Sequence, residues 1–444
     1  MIHAPVLIDL VRSEHAAILC RTVPFIVSRV RPGLTRLPPH PYREKSRAEL
    51  LKGTLSMATP SSPVAETPST PLMKTALNAT HRALKAKMVD FGGWDMPVEY
   101  PGPGGGLIAE HMAVRTGVGL FDVSHMGEIQ FRGPGALAAI QYITMNDASR
   151  LKDGQAHYSA LLTPQGTFVD DILVHRLGEN DYLLVVNAGT KDKDYAWIRK
   201  QVGARPGIHI SDYSAYYSQL ALQGPLALKT LQKLTKVDLA AIKNYWFAWG
   251  TVAGIPNVLI ARTGYSGEDG FEVYIPADEP TTVKMWDALM EAGAEFGIRP
   301  CGLGARNTLR LEAGMSLYGH EISEEINVFE AGLDRWLKLD KGEFIGREAL
   351  LAVQAAGGAK RKLVGLEMVE RGIGRDGYQV LSLDGEPLGT VTSGSPAPFL
   401  KTNIAMALVP AAVAASGVDV LVQCRANPVR AKQVPLPFYK RSRK

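Results

Sequence analysis

The sequence predicts an α+β fold that ends in a small all-β domain. Between residues 74 and 356, helix-like and strand-like segments alternate without the regular strand–helix–strand period of a doubly wound sheet. From residue 361 to residue 440, only short strands separated by glycine turns follow, which is typical of a small barrel. The glycine- and lysine-rich stretch Gly357–Lys362 between these regions is interpreted as a linker.

Composition narrows the class of protein. The chain has 444 residues, of which 46% are apolar and 21% charged, an ordinary globular composition with room for two to four domains. The net charge of +5 is spread without a dense basic stripe, so no nucleic-acid partner is expected. Three scattered cysteines without a CxxC pair argue against a disulfide framework and against a metal site. The longest apolar run, 404–415, is broken by Pro410 and too short to span a bilayer, so no membrane contact is expected.

The first 73 residues differ from the rest. Arginines recur here, and the Pro/Ser/Thr tract 56–71 is predicted to be disordered. The segment fits an organelle-targeting peptide, or an over-long reading frame whose translation starts at Met57. Because acids such as Asp9 and Glu14 do not suit a targeting peptide, we favour an extension without function. We therefore expect the bacterial cytoplasm as the location, with the mitochondrial matrix as the alternative.

Hydrophobic periodicity places the remaining elements in order. Helices are predicted over 78–87, 107–115, 134–145, 191–202, 225–235, 285–296 and 302–314. Strands are predicted in the hairpin 87–100, the turn and strand 121–131, the hairpin 157–175, 182–187, 218–223, the hairpin 249–262, 271–274, 363–368, 377–382, 388–393 and 418–423. The glycine stretch 102–106 lacks the Gly-Lys-Ser/Thr ending of a phosphate loop and is interpreted as a turn.

One glycine-punctuated turn, Arg262–Tyr274, carries an acid into a strand. Glu272 stands between Phe271 and Val273, where an unpaired carboxylate facing the core would be costly. Taken alone, the pattern favours a solvent-facing side chain. The alternative is a carboxylate in a pocket that binds a flat ligand with paired N–H donors.

The pair Asp170-Asp171 interrupts an apolar strand. Since neighbours on a strand point to opposite faces, one of them faces the core or a cavity if the other is solvated. The alternative is that the pair ends a hairpin arm and caps its turn.

Two alternatives stay open for Arg306 and Arg310, which lie four residues apart on one helix face. Both are solvated, or one points inward to an acid or an anionic ligand. His125 has no partner at metal-ligand spacing and is expected to be a hydrogen-bonded structural residue.

A set of segments, in this order, resembles one known family. They are Lys87–Tyr100 (KMVDFGGWDMPVEY), Leu120–Gly127 (LFDVSHMG), Asp170-Asp171, Arg262–Glu272 (RTGYSGEDGFE), Leu309–Gly319 (LRLEAGMSLYG) and Gly389–Gly394 (GTVTSG). Together they resemble the glycine cleavage T proteins of the folate-dependent aminomethyltransferase superfamily, over residues 74 to 440.

The resemblance implies three domains arranged as a cloverleaf around a central folate channel. Residues 74–356 would form two interwoven α+β domains that bind folate, and residues 361–440 the third domain. It also implies transfer of a one-carbon unit from the aminomethyl-loaded lipoyl arm of a carrier, the H protein, to tetrahydrofolate. Ammonia is released, 5,10-methylenetetrahydrofolate is formed, and no metal is needed.

The resemblance also implies a role for individual residues. Asp171 would be catalytic by orienting the nucleophilic folate nitrogen. The residues implied in folate binding are Tyr158, Asn187, Tyr265, Glu272 (the pterin acid), Arg306 and Tyr439 near the C-terminus. His175 stands where relatives often have tyrosine, and its role is left open.

Two other functions fit the same fold. One is a folate-dependent demethylase of the superfamily, which would share the pocket but not the carrier. The other is a non-catalytic folate-binding protein that assists iron–sulfur assembly. The second carries a cysteine in a signature whose counterpart here, Lys341–Arg347 (KGEFIGR), has none.

Overall fold

A computed structural model describes residues 71–442 of the chain. The predicted N-terminal extension therefore lies outside the described residues, apart from its last three. Within the described part, no helix is both long and apolar enough to cross a membrane.

The helices of this part are short. They are α1 Asn78–Ala83, α2 Leu107–Thr116, α3 Ala136–Ile143, α4 Lys191–Val202, α5 Ala227–Gln232, α6 Glu279–Gly293, α7 Leu303–Glu312 and α8 Arg347–Ala355. The predicted start of α6 at Met285 was wrong by six residues. The Asp278 carboxylate caps this helix by accepting a hydrogen bond from the Thr281 backbone N–H (2.8 Å), and Pro280 occupies the first turn. These are ordinary start signals that the apolar periodicity does not contain.

A six-stranded sheet forms one half of the region before the barrel. Its strands are β3 Gly119–Asp122, β9 Tyr217–Gln223, β10 Phe247–Val252, β11 Ile255–Ala261, β12 Gly270–Pro276 and β13 Arg299–Pro300, in the order β10-β11-β12-β9-β3-β13. Helices α5 and α6 cover one face, where Leu231, Met285, Trp286 and Leu289 are buried against strand residues such as Val273. The other face is not covered by these helices and packs against the second sheet.

The second sheet has five strands. They are β4 Gly127–Arg132, β5 Gln155–Leu162, β6 Phe168–Gly178, β7 Asp181–Val186 and β8 His209–Asp212, in the order β5-β6-β7-β4-β8. Helices α3 and α4 cover its outer face. A small apolar cluster that includes Val185, Phe247, Leu259 and Tyr274 joins the two sheets. A separate hairpin, β1 Lys87–Phe91 and β2 Trp94–Glu99, precedes both sheets, as predicted.

The C-terminal strands close into a barrel. They are β14 Arg361–Met368, β15 Gln379–Leu381, β16 Pro387–Ala397, β17 Thr402–Pro410, β18 Asp419–Cys424 and β19 Asn427–Val434, in the order β14-β17-β16-β15-β18-β19. The predicted α+β class and the barrel-like end are thus confirmed. The exact domain limits stay a prediction.

The sequence patterns did not predict α8, β8, β13, β17 or β19. Residues Ile404 to Val409 are all buried, because one side of β17 fills the barrel while the other packs through Ile404 and Met406 against Leu311 of α7. A strand that is buried on both faces lacks the alternation by which a half-exposed strand is recognised.

Candidate active site

A cavity of about 220 Å³ opens where the two sheets meet the segment between α7 and residue 336. Six of the seven residues predicted to form the site line it: Tyr158, Asp171, Asn187, Tyr265, Glu272 and Arg306. They come from both sheets, from the turn before β12 and from α7. Its position between packed elements is where ligand sites are commonly found.

Asp171 lies on β6 with its carboxylate in the cavity. Tyr158, on the neighbouring strand β5, donates its hydroxyl hydrogen to Asp171 Oδ2 (3.1 Å). Asn187, just after β7, donates from Nδ2 to Asp171 Oδ1 (2.8 Å). Two donors therefore fix the carboxylate from two sides.

Asp170 points to the opposite face of β6, as the strand geometry predicts, and is fully buried. It accepts hydrogen bonds from the Asn187 backbone N–H (3.1 Å), from Asn187 Nδ2 (2.8 Å) and from the Thr190 hydroxyl (2.8 Å). The pair does not cap a turn, and neither acid lies on the outer surface. The Asn187 amide nitrogen instead bridges the two carboxylates.

This arrangement raises the pKa values of two carboxyl groups. Burial, and then the negative charge of Asp170, raises the pKa of Asp171 to about 7. Behind Asp170, the buried carboxyl of Asp194 has its pKa raised to about 10, by burial first and by the charge of Asp170 second. Asp194 is therefore neutral near pH 7, whereas Asp171 titrates close to it.

Glu272 lies on β12, opposite Ala221 of β9 and Ala261 of β11, and faces the cavity rather than the outer solvent. The two small neighbours leave room beside its carboxylate. The Thr263 hydroxyl donates a short hydrogen bond to Oε2. Burial raises the pKa of Glu272, and the Thr263 hydrogen bond and the positive charge of Arg306 oppose this.

Arg306 and Arg310 are both turned inward, so the solvated alternative was wrong. The Arg306 guanidinium reaches the cavity, 3.3 Å from His125 Nε2 and 5.1 Å from the centre of the Tyr265 ring. Burial, followed by the charge of Arg306, lowers the pKa of His125 to about 3, so the neutral ring accepts the hydrogen bond. The predicted structural role of His125 is thus seen in its contact with Arg306.

Arg310 does not line the cavity but makes contacts that connect parts of the fold. It donates to Glu321 Oε2 (2.9 Å) and to the Ser393 hydroxyl of the barrel (2.8 Å). The side chains of Arg310 and Glu321 are essentially inaccessible to solvent, at 2% and 0%. This buried ion pair connects α7, the loop after it and the barrel.

Aromatic rings form the remaining walls of the cavity. The rings of Tyr158 and Tyr245 lie 5.7 Å and 6.1 Å from that of Trp336. The Tyr265 hydroxyl donates a short hydrogen bond to the Ser316 carbonyl, which fixes its ring beside Arg306. The sequence analysis did not single out Tyr245 and Trp336, because both lie in irregular segments. The available signals were the aromatic run Tyr245–Phe247 for the first residue and an aromatic residue in a charged stretch for Trp336.

Tyr439 does not line the cavity. Its ring lies over the Arg115 guanidinium, 4.0 Å from the ring centre, and its backbone N–H donates to the Glu312 carbonyl (2.7 Å). The C-terminal segment thus holds this tyrosine behind the cavity wall and not inside it. His175 also lies outside the cavity, buried with its ring 5.5 Å from Phe247 and 6.0 Å from Tyr274.

The cavity can hold a flat, polar ligand and act on a nitrogen. One carboxylate, Glu272, can accept a pair of N–H donors, and the aromatic walls offer ring faces. A second carboxylate, Asp171, changes protonation near neutral pH, as a group that accepts or orients a proton must. Among residues 71–442, no group of three or more His, Cys, Asp and Glu side chains could hold a metal ion.

Comparison with known proteins identifies the family. The model of the GCVT N-terminal domain matches residues 77–341, and that of the glycine cleavage T-protein C-terminal barrel domain matches residues 361–440. An aminomethyltransferase of Acidobacterium capsulatum is 67% identical over 84% of this chain and 97% of its own length, and one of Koribacter versatilis is 60% identical over the same shares. The crystal structure of the glycine cleavage system aminomethyltransferase T of Bartonella henselae matches with a TM-score of 0.76 and 32% identity, over 83% of this chain and 98% of that one. The chain therefore belongs to the glycine cleavage T-protein family, and it is an aminomethyltransferase of the glycine cleavage system.

Proposed function

We propose that the chain transfers the one-carbon unit of an S-aminomethyl-dihydrolipoyl H protein to tetrahydrofolate in the cavity between its two sheets. The C–N and C–S bonds of the aminomethyl group break, and two bonds form from its carbon to folate nitrogens. The two folate N–H protons go to the departing ammonia and to the dihydrolipoyl sulfur. The observation that carries this proposal is the pairing of Glu272 with Asp171 in one aromatic-walled cavity.

Glu272 would hold the pterin. A pterin ring presents an N–H and an amino group side by side, and one carboxylate accepts both in a fork. Thr263 holds one carboxylate oxygen, and the alanines on both neighbouring strands keep the approach open. Tyr158 and Tyr265 would contact the faces of the folate rings, as aromatic side chains do with flat ligands.

Asp171 would orient and activate the attacking nitrogen. In its ionised form it accepts a hydrogen bond from the folate N–H and stabilises the positive charge that develops on that nitrogen. Its two protein donors, Tyr158 and Asn187, fix the carboxylate before the ligand arrives. No covalent bond to the enzyme is needed.

Single-turnover transfer tests the proposal. Purified chain is mixed with aminomethyl-loaded, lipoylated H protein and tetrahydrofolate, and ammonia and methylenetetrahydrofolate are followed together. We expect stoichiometric release of both, dependent on folate, and a fall of at least about 100-fold in Asp171→Ala. Asp153→Ala is the matched control, because this acid in the turn before β5 is largely exposed and pairs with Arg176.

Two outcomes would contradict the proposal. Folate-dependent turnover of methylated amines with no turnover of the loaded carrier would favour a demethylase. Folate binding without any turnover would favour a non-catalytic folate-binding protein. A bacterial cytoplasmic location fits relatives from Acidobacterium and Koribacter and stays a prediction.

A further inference from the structure

The C-terminal tail, residues 435–442, returns from the barrel to the wall of the cavity. The Tyr439 backbone N–H is bound to the last residue of α7, Glu312 (2.7 Å). Two residues further, Arg441 lies 3.4 Å from Asp269 in the turn 263–270, which leads into the first residue of β12. The rings of Phe399, just after β16 of the barrel, and Tyr439 are nearly perpendicular, with their centres 5.2 Å apart. The tail thus joins the barrel, α7 and this turn.

Arg115, at the end of α2, is the centre of these contacts. Its side chain is inaccessible to solvent. It donates to Glu312 Oε2 (2.9 Å), to Glu268 Oε1 (3.0 Å) and to the carbonyls of Ser266 (2.7 Å) and Leu309 (3.2 Å). The edge of the guanidinium is therefore occupied by acceptors, while the Tyr439 ring covers one face at 4.0 Å.

Two of these acceptors belong to the turn 263–270, whose other side forms the cavity wall. Thr263, Gly264 and Tyr265 line the cavity, and Thr263 binds Glu272. The turn packs closely on the end of α7, because a Cβ at Gly267 would lie 2.7 Å from the Ala313 Cβ. A displacement of its back, at Ser266 and Glu268, would therefore displace Tyr265 and Thr263 at its front.

We infer that Tyr439 is a positioning residue. Through Arg115, and with the help of Arg441, it holds the turn 263–270 so that Tyr265 and Glu272 are set to receive the ligand. This inference deepens the proposed function and rests on it only for the identity of the ligand. It differs from a direct role of Tyr439 in binding, since its ring acts through Arg115, and its hydroxyl group is hydrogen-bonded to Glu268 of the turn and does not line the cavity.

Tyr439→Ala and Tyr439→Phe distinguish the two roles. The dissociation constant of tetrahydrofolate is measured on the full-length chain without carrier. We expect an increase of about 10-fold in Tyr439→Ala, the order of one cation–π contact, and a change within about 2-fold in Tyr439→Phe, which keeps the ring. Tyr378→Ala, which removes a partly buried barrel tyrosine outside the cavity lining, serves as the control. Equal weakening in Tyr439→Phe and Tyr439→Ala would overturn the inference, because the effect would then lie in the hydroxyl group and not in the ring over Arg115.

Amide hydrogen exchange tests, without any ligand, whether the C-terminal tail acts as a strap that holds the turn 263–270 in place. Tyr439→Ala should speed exchange in residues 263–270 and leave the five-stranded sheet unchanged. Arg441→Ala, at a less buried ion pair, should do so to a smaller extent. Unchanged exchange in both variants would refute the inference. Faster exchange in a chain that does not bind folate would leave the strap in place and refute the proposed ligand.

Discussion

The charge of Asp170 should set the pH at which the enzyme becomes active. In Asp170→Asn, the negative charge behind Asp171 is removed while the size of the side chain is kept. Since that charge is the second cause of the raised pKa of Asp171, after burial, its removal lowers this pKa. Asp171 then ionises at lower pH, and the acid limb of the rate profile moves to lower pH.

The size of this displacement in pH follows from the Asn187 side-chain amide, which bridges the two acids. Asn187 Nδ2 lies 2.8 Å from an oxygen of each acid, so these two oxygens are at most about twice that distance apart. Two unit charges about 5–6 Å apart, at an effective dielectric constant of about 20, repel by roughly 3 kcal/mol. This corresponds to a displacement of the acid limb by roughly 2 pH units.

The assay is single-turnover transfer from the loaded carrier, followed from pH 5 to pH 9. Wild type should gain activity around the pKa of about 7 given by burial and the Asp170 charge, and Asp170→Asn well below it. Thr190→Val is the matched control. It removes the hydroxyl donor to Asp170 at 2.8 Å and keeps the Asp170 charge, so its acid limb should not move to lower pH. An acid limb that is identical in Asp170→Asn and wild type would refute the reasoning.

Three further predictions concern separate parts of the site and the fold. Glu272→Gln should raise the tetrahydrofolate dissociation constant on the order of 50-fold in a binding titration, because it loses the charge and one acceptor of the fork; a change below about 3-fold would contradict a pterin contact. Asp171 has a folded pKa of about 7, above its usual value of 3.8, so its ionisation costs stability as the pH rises. Relative to wild type, Asp171→Asn should therefore gain roughly 2 kcal/mol in unfolding free energy between pH 5 and pH 8 in urea titrations, and an equal difference at both pH values would be contrary to this expectation. Arg310→Ala should cost about 3–5 kcal/mol in the same measurement, since buried Glu321 loses its partner, whereas Arg430→Ala, at the surface pair with Asp419, should leave stability essentially unchanged.

Strand geometry made part of the site predictable. Because adjacent residues of a strand face opposite sides, the sequence alone separated Asp170 from Asp171. It could not reveal that α4 buries the first acid while the cavity receives the second. The same limit applies to Arg306 and Arg310, whose shared helix face was predicted but whose inward partners, His125 and Glu321, come from distant segments.

The aromatic wall of the cavity and the position of the C-terminal tail could not be predicted from sequence patterns, for a different reason. Tyr245 and Trp336 reach the cavity from irregular segments, where neither period of 2 nor period of 3.6 applies. Tyr439 was expected beside the ligand from the resemblance to the family. Its position behind the wall depends on the buried guanidinium of Arg115, which nothing in the local sequence of either residue indicates.

A crystal structure of the chain with tetrahydrofolate would test most directly whether the ligand binds in the cavity at Glu272 and Asp171. We expect the pterin in the cavity, its paired N–H donors on the Glu272 carboxylate, and a reactive folate nitrogen within about 3 Å of an Asp171 oxygen. A pterin bound outside the cavity, or with its reactive nitrogens directed away from Asp171, would contradict this expectation.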